Sequence, residues 1–203
     1  MAKKPKTGKG LLVVISGPSG VGKSTIVARL LKIAPRARLS VSTTTRKPRP
    51  GEKHGKDYFF VSGERFTEMV NGDELLEWAE VHGSYYGTPK SYIEEQLGKN
   101  RVVVLEVDVQ GAQSIREVLR KKKLKAHCVF VFLIPPSVDI LAFRLKKRRT
   151  EEEEMMNYRL RAAIAELQVM EKYDYIVVND KVDSAAEKIR AIIHVEKERT
   201  FLN

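Results

Sequence analysis

One stretch of eight residues decides the fold expected for the chain: Gly17-Pro18-Ser19-Gly20-Val21-Gly22-Lys23-Ser24. It matches the phosphate-binding loop G-x-x-x-x-G-K-[ST], whose glycines let backbone N–H groups turn inward around a phosphate. The apolar residues 11–15 before it predict a buried strand, and residues 25–31 after it predict a helix with a partly positive N-terminus. We therefore expect Lys23 on the outer phosphates of a nucleotide and the Ser24 hydroxyl on Mg²⁺. The alternative is a glycine-rich turn without a ligand.

Composition narrows the class of protein. The chain has 203 residues, of which 42% are hydrophobic, enough for the core of one domain. No run approaches the roughly 18 apolar residues of a membrane span, and no signal peptide is recognised, so a cytoplasmic protein is expected. Cys128 is the only cysteine and is predicted to be a core residue. Because the four histidines lack ligand spacing, any metal is expected to arrive with a phosphate ligand rather than in a protein-built site.

The net charge of +11 predicts an acidic partner, and nucleotides, nucleic acids and membranes all qualify. Four lysines lie in residues 1–9 beside proline and glycine, which predicts a disordered basic tail. A solubilising tail is favoured over specific contact with RNA or lipid.

Apolar runs alternate with helical patterns along most of the chain. The runs are residues 102–105, 128–134 and 175–178, and the helical patterns are residues 112–120, 138–147 and 151–172. This alternation predicts an α/β core with a parallel sheet covered on both faces. Thr150 and Glu153 form a capping box, so one helix is expected to end near Arg149 and another to begin at once.

Residues 39–96 break that rhythm with Ser, Thr, Gly, Pro and alternating aromatic residues. Short strands are predicted at residues 39–42, 58–61 and 85–87, within a small mixed subdomain that carries an acceptor site. Arg46 and Arg49 are suited to clamp a phosphate monoester there, since a guanidinium offers paired hydrogen bonds. An exposed basic loop is the alternative.

Glu106 and Asp108 end the predicted strand of residues 102–107 and, with the alternation of a strand, share one face at its carboxyl end. Ligands of open α/β sheets bind at this carboxyl edge. Asp108 is thus a candidate for holding Mg²⁺ through water or for contacting the acceptor, and a helix cap is the alternative.

Several segments, taken together with the phosphate-binding loop, resemble guanylate kinase. They are residues 42–52, Asp57-Tyr58-Phe59-Phe60, Leu76-Glu77-Trp78-Ala79, Tyr85-Tyr86-Gly87-Thr88 and Val177-Val178-Asn179-Asp180. The resemblance covers residues 11–193. It implies a P-loop nucleoside monophosphate kinase fold: a five-stranded parallel sheet flanked by helices, a mixed GMP-binding subdomain and a helical lid.

The same resemblance implies a division of the chain. A single domain is expected over residues 10–203, after the tail of residues 1–9. Its core comprises residues 10–38, 97–136 and 170–203, its GMP-binding insert residues 39–96, and its lid residues from about 140 to 165.

The implied activity is Mg²⁺-dependent transfer of a phosphoryl group from ATP to GMP, and to dGMP as well. The residues implied for ATP are Gly17, Pro18, Ser19, Gly20, Val21, Gly22, Lys23, Ser24, Thr25 and, on the adenine side, Asn179. The residues implied for the GMP phosphate are Arg46, Arg49, Tyr58 and Tyr86, and those for guanine are Ser42, Glu77, Thr88 and Asp108.

Guanine chemistry agrees with this pocket. The N1–H and 2-amino donors of guanine suit the Glu77 carboxylate, and its O6 acceptor suits the Thr88 and Ser42 hydroxyls. Adenine would leave Glu77 unpaired. Taken singly, Glu77, Tyr58 and Tyr86 also fit surface or packing roles, and Trp78 is predicted to be a core residue.

Catalysis needs no general base, because the GMP phosphate is already ionised. Arg144 and Arg148 lie four residues apart on a predicted helix and share a face, and Arg159 lies on the next helix. The resemblance implies that all three are catalytic lid arginines, with Lys23 and Arg46. Arg149 departs from the family pattern, where glycine is common.

Two other functions compete with the enzyme. One is a guanylate kinase-like scaffold without catalysis, disfavoured because Lys23, Ser24 and the arginines are all present. The other is a P-loop protein acting on nucleic acid. The expected partners are ATP and GMP, with no specific nucleic acid and no membrane, and a homo-oligomer is left open.

Overall fold

The computed structural model describes residues 10–81, 83–121, 126–146 and 153–199, with only the backbone described at Val81 and residues 153–159. The predicted disordered tail, the Thr150 cap, Arg148 and Arg149 lie outside these residues.

Two sheets form the scaffold. The strands are β1 Leu11–Ser16, β2 Ala37–Leu39, β3 Thr43–Thr44, β4 Phe59–Phe60, β5 Leu75–Val81, β6 Ser84–Pro89, β7 Val102–Glu106, β8 His127–Ile134 and β9 Tyr175–Val178. The core sheet has the order β2-β7-β1-β8-β9, and all of its pairings are parallel. The second sheet has the order β4-β3-β6-β5 and mixes one parallel with two antiparallel pairings. The predicted five-stranded parallel sheet is confirmed.

Helices cover both faces of the core sheet. The described helices are α1 Lys23–Ile33, α2 Gly63–Asn71, α3 Lys90–Gly98, α4 Val109–Arg120, α5 Val138–Lys146, α6 Glu153–Leu167 and α7 Val182–Arg199. Helices α1 and α7 pack on the face that carries Leu11, Val13 and Ile15, whereas α3 and α4 pack on the opposite face. Residues 11–15 are fully buried, and each such aliphatic side chain contributes roughly 1.5–3 kcal/mol of burial free energy.

The prediction of a strand at residues 39–42 is wrong. Strand β2 ends at Leu39 and belongs to the core sheet, where Leu39 pairs with Val104, and β3 begins only at Thr43. Between them Ser40 donates its backbone N–H to the Val104 carbonyl, so the chain leaves one sheet before it enters the other.

The predicted helix of residues 151–172 is also too long. Helix α6 ends at Leu167, where the Gln168 N–H bonds to the Ala165 carbonyl, and a separate 3₁₀ turn covers Met170–Lys172. This break lets the Tyr173 ring pack on Phe132, with ring centroids 4.6 Å apart.

Trp78 is not a core residue, because 48% of it is exposed. It lies on β5, an edge strand of the mixed sheet, and strand alternation directs it away from the side that carries Glu77. The Trp78 ring makes edge contacts with Phe66 and Tyr85 instead. In the described part of the chain, no helix combines the length and the apolarity needed to cross a bilayer.

Candidate active site

The phosphate-binding loop connects β1 to α1 and requires glycine at two positions. Gly17 has φ 147°, and a Cβ there would lie 2.4 Å from the Leu133 carbonyl oxygen. Gly22 has φ 95° as the N-cap of α1, and a Cβ there would lie 2.7 Å from Asn179 Nδ2. The fully buried Val21 anchors the loop to the core, so the glycines can hold an inward-facing turn.

Lys23 and Ser24 bond to protein groups around the loop. Lys23 Nζ donates to the carbonyls of Gly17 at 2.6 Å and Pro18 at 3.2 Å. The Ser24 hydroxyl donates to Glu106 Oε1 at 2.5 Å, and Thr25 is exposed beside it. Glu106 reaches this position because β1 and β7 pair Ile15 with Glu106. A hydroxyl and a carboxylate so close together are hard oxygen ligands of the kind that Mg²⁺ prefers.

Asp108 makes a different contact from Glu106. It is the N-cap of α4, and its Oδ1 accepts the Gly111 N–H at 2.6 Å. The cap that sequence analysis gave as the alternative role is therefore present. Glu106, not Asp108, meets the Ser24 hydroxyl.

An acidic side chain from α6 reaches the phosphate-binding loop. Glu166 Oε2 accepts the backbone N–H of Ser19 at 3.2 Å. This N–H is one of the donors expected to face a phosphate. The Glu166 carboxylate oxygen therefore occupies a position where a phosphate oxygen is expected.

Arg144 and Asn179 brace the loop from the side. Asn179 Nδ2 donates to the Val21 carbonyl at 2.6 Å, and Arg144 donates to the same carbonyl at 3.3 Å. Arg144 also donates to the Asn179 carbonyl at 3.1 Å. Asn179 is 3% exposed, and its Oδ1 accepts no hydrogen bond from the described residues. Arg148 and the Arg159 side chain lie outside the described part of the chain.

Arg46 is already engaged in the acceptor loop. It donates to both carboxylate oxygens of Glu52, at 2.8 and 2.9 Å, and to the Lys47 carbonyl. Glu52 also accepts the backbone N–H of Arg49 at 2.7 Å, whereas the Arg49 side chain is exposed. The hydrogen bonds from Arg46 and then Arg49 hold the pKa of the Glu52 carboxyl below its usual value.

Tyr58 and Tyr86 lie beside Arg46. Their ring centroids are 6.0 Å apart, and the Arg46 guanidinium lies 5.5 Å from the centroid of the Tyr58 ring. Burial, and then the nearby Tyr86, raises the pKa of Tyr58, so its hydroxyl stays a donor at neutral pH. Three of the four residues expected at the GMP phosphate thus form one cluster.

Glu77 and Thr88 form a second cluster on β5 and β6. The Thr88 hydroxyl, 1% exposed, donates to Glu77 Oε1 at 2.5 Å. Burial raises the pKa of Glu77; the Thr88 hydrogen bond opposes that shift, and the charge of Asp108 adds to it. Both carboxylates face Gly111, so the acceptor cluster adjoins the carboxyl edge of the core sheet. Ser42 precedes β3, and its carbonyl accepts the Phe59 N–H at 2.9 Å.

The sequence did not predict the roles of three carboxylates at this site. Glu52 and Glu166 were not predicted as site residues, and Glu106 was named without its contact to Ser24. Only Glu106 carried a usable signal, because it ends an apolar strand that neighbours the phosphate-binding loop. The described residues include no group of three or more His, Cys, Asp or Glu that could hold a metal ion by itself.

Comparisons with known proteins agree with this geometry. The family model of guanylate kinase matches residues 9–196. A guanylate kinase from Caldanaerobacter subterraneus subsp. tengcongensis is 49% identical over 195 residues, covering 96% of this chain and 92% of that protein. One from Shouchella clausii is 47% identical, covering 96% and 93%. The crystal structure of guanylate kinase from Anaplasma phagocytophilum superposes with a TM-score of 0.71 at 35% identity, covering 94% of this chain and 87% of that one.

Proposed function

The chain belongs to the guanylate kinase family, and from that premise we propose that it transfers the γ-phosphoryl group of ATP to GMP, yielding ADP and GDP. One observation carries the proposal: the Glu77–Thr88 cluster lies against the same sheet edge as the Lys23 and Ser24 loop. This shared edge supports a phosphate donor site beside a base-reading carboxylate. The proposal includes dGMP as an acceptor and the cytoplasm as the place of reaction.

The donor half is proposed to hold ATP by the backbone N–H groups of residues 17–22 and by Lys23. Ser24 and Glu106 are the groups we propose for Mg²⁺, because their oxygens lie 2.5 Å apart. When bound, the ion would neutralise negative charge on the ATP phosphates. Asp108 stays a predicted ligand through water. Asn179 stays a predicted contact of adenine, and its Oδ1 accepts no hydrogen bond from the described residues.

The acceptor half is proposed to grip the GMP phosphate with Arg46, Arg49, Tyr58 and Tyr86. Glu77 accepts the N1–H and 2-amino donors of guanine, while Thr88 and Ser42 face O6. Asp108 adjoins Glu77 and completes this side. A buried carboxylate left unpaired by adenine would be costly, by about 1–3 kcal/mol or more, which supports selectivity for guanine.

Catalysis on this proposal is positioning and charge stabilisation. Lys23 and Arg46 must exchange their present partners for substrate oxygens. Arg144, Arg148 and Arg159 are proposed to act from a lid at residues from about 140 to 165, on the donor side of the cleft. Closing that lid would exclude water from the transferring group. The core, insert and lid boundaries given above belong to the same proposal.

A coupled assay of ADP formation tests the function, with GMP, dGMP, AMP, UMP and CMP as acceptors. We expect GMP and dGMP to react and the others to be poor substrates. Turnover of AMP equal to that of GMP would contradict the roles of Glu77 and Thr88.

Lys23→Ala tests the donor half. The rate should fall by a factor of about 10²–10³, as for other preorganised charge contacts. Lys32→Ala, on an exposed face of the same helix, is the matched control and should keep the parent rate. A near-normal rate for Lys23→Ala would reject the mechanism.

A further inference from the structure

A cavity of about 440 Å³ lies far from the cleft described above. Its walls are the α1–β2 connection, the segment that leads into β7, and the C-terminal half of α7. These segments meet at the amino ends of the core strands, whereas the phosphate-binding loop lies at their carboxyl ends. We call it the basal cavity. Helix α1, of 11 residues, separates the two sites by about 16 Å.

The floor of the basal cavity is apolar. Ala37, Val102 and Ile193 line it and are at most 7% exposed. Ala37 and Val102 are paired across β2 and β7, so the floor belongs to the rigid sheet. A flat apolar floor of this kind fits the body of an aliphatic or aromatic ligand.

The rim of the basal cavity is cationic. Arg36 and Arg190 are exposed there, and Lys197 donates to the Asn100 side chain at 2.5 Å. Burial, and then the charge of Arg36, lowers the pKa of Lys197, so a further negative charge would relieve the crowding of cations.

Acidic groups offset only part of this charge. Glu198 lines the cavity and lies 4.0 Å from His194, and Arg190 is paired with Glu187 at 2.6 Å. Among the described residues of the lining, the basic side chains Arg36, Arg190 and Lys197 outnumber the single carboxylate, Glu198.

We propose that the basal cavity is a second ligand site, which takes an organic anion with an apolar or aromatic body and a phosphate, sulfonate or carboxylate group. The body lies on the Ala37 and Val102 floor, and the anionic group meets Arg36, Arg190 and Lys197. The volume lies within the range of about 300–1,000 Å³ typical of small-molecule sites. The proposal does not depend on the phosphoryl-transfer activity.

The probe is 8-anilinonaphthalene-1-sulfonate, an aromatic sulfonate whose fluorescence rises on binding. The full chain is titrated with the active site saturated by GMP and a non-hydrolysable ATP analogue. We expect one site whose affinity falls about tenfold in Arg36→Glu and in Arg190→Glu, since each reverses one rim charge. Lys188→Glu, an exposed position of α7 outside the lining, is the matched control and should keep the parent affinity.

Inorganic sulfate distinguishes the proposed ligand class from a simple cation patch. If the apolar floor contributes to binding, the sulfate concentration needed to displace the dye should be about a hundredfold higher than the concentration of an aromatic sulfonate that displaces it. Equal affinity in Arg36→Glu, Arg190→Glu and Lys188→Glu would overturn the proposal. So would displacement by sulfate alone at matching concentrations, or competition between the dye and the substrates. Thermal unfolding followed by circular dichroism checks that each variant is folded.

Discussion

The carboxyl group of Glu77 has opposite effects on the fold and on substrate choice. Burial raises its pKa above the value of an unfolded chain, so ionising Glu77 costs more free energy in the folded than in the unfolded protein. The Thr88 hydroxyl offsets part of that penalty. The ionised form is nevertheless the one proposed to accept two donors from guanine.

Glu77→Gln should therefore stabilise the protein and weaken GMP binding. We expect an unfolding midpoint about 2–4 °C higher at neutral pH, the shift that roughly 1 kcal/mol produces in a chain of this size. The kcat/KM for GMP should fall about 10–100-fold through loss of a charged acceptor. Differential scanning calorimetry and steady-state kinetics measure the two effects. Glu80→Gln, exposed on the same strand, is the control, and a lower midpoint for Glu77→Gln would contradict the argument.

Acidification should weaken GMP binding through the same group. Because the folded pKa of Glu77 is raised, the carboxylate is lost as pH falls through that elevated value, before an ordinary Glu would titrate. The KM for GMP should therefore rise toward low pH. Glu77→Gln should lack this component while keeping the one that comes from the GMP phosphate. Identical pH profiles for the two proteins would exclude Glu77 as the titrating group.

In the proposed donor site, the Glu166 carboxylate would compete with ATP for the Ser19 N–H. Glu166→Ala should bind an ATP analogue about fivefold more tightly, since roughly 1 kcal/mol of competing hydrogen bond is removed. Isothermal titration calorimetry measures the affinity. Glu171→Ala, in the 3₁₀ turn and exposed, is the control. Unchanged or weaker binding by Glu166→Ala would argue that the carboxylate assists ATP instead of competing with it.

At the scale of elements, a buried carboxylate fastens α7 to two core strands. Glu196 is 3% exposed, and its two oxygens meet His127 Nε2 at 2.8 Å and the Tyr175 hydroxyl at 2.7 Å. Burial favours a higher pKa for Glu196, but the hydrogen bonds from Tyr175 and His127 outweigh it and hold the pKa below the usual value.

Because that pKa is lowered in the folded state, the contribution of Glu196 to stability is present at neutral pH and is lost as pH falls through the folded value. Glu196→Ala should destabilise the protein by about 2–4 kcal/mol, since two half-buried partners lose their acceptor. Glu196→Gln should lose less free energy of unfolding than Glu196→Ala, and its stability should depend less on pH in the acidic range than that of the parent. Urea unfolding between neutral pH and about pH 4 measures both. Glu198→Ala, at an exposed position two residues further along α7, is the control and should leave the free energy of unfolding unchanged. Equal destabilisation by the two alanine variants would contradict a stabilising role of the Glu196 hydrogen bonds.

The sequence predicts an element correctly where the residues of that element alone favour it, and fails where a distant segment sets its position or its end. Residues 11–15 and 128–134 are long β-rich apolar runs, so their burial in a parallel sheet follows from composition. Strand β2 has only three residues and exists because β7 offers it an edge. Helix α6 ends at Leu167 because Tyr173 must pack on Phe132, a contact that no local pattern reveals.

At the scale of the whole molecule, the site is assembled from segments far apart in the chain. The loop from Gly17 to Ser24 is contiguous, which is why it was predictable residue by residue. Glu106 meets Ser24 across 82 positions, and Glu166 meets Ser19 across 147. A single sequence contains no record of such pairs, so the roles of these carboxylates required the fold.

Because the proposed ATP and GMP sites lie on different sheets, each ligand should stabilise the protein without the other. An ATP analogue and GMP, each at about 100 times its Kd, should each add about 2.7 kcal/mol to the free energy of unfolding. Thermal shift measurements with either ligand and with both test this. A GMP effect that appears only with the ATP analogue present would show that the acceptor pocket is not formed beforehand. AMP is the matched control for GMP.

The bidentate contact between Arg46 and Glu52 has a consequence for anion binding at the proposed acceptor site. The guanidinium is screened by a counter-ion from its own loop, so a free phosphate ion gains little by replacing one anion with another. A nucleotide brings a base as well, and the base contacts at Glu77 and Thr88 can tip the exchange. If Arg46 binds the GMP phosphate as proposed, the pair would disfavour isolated phosphate relative to phosphate attached to guanine.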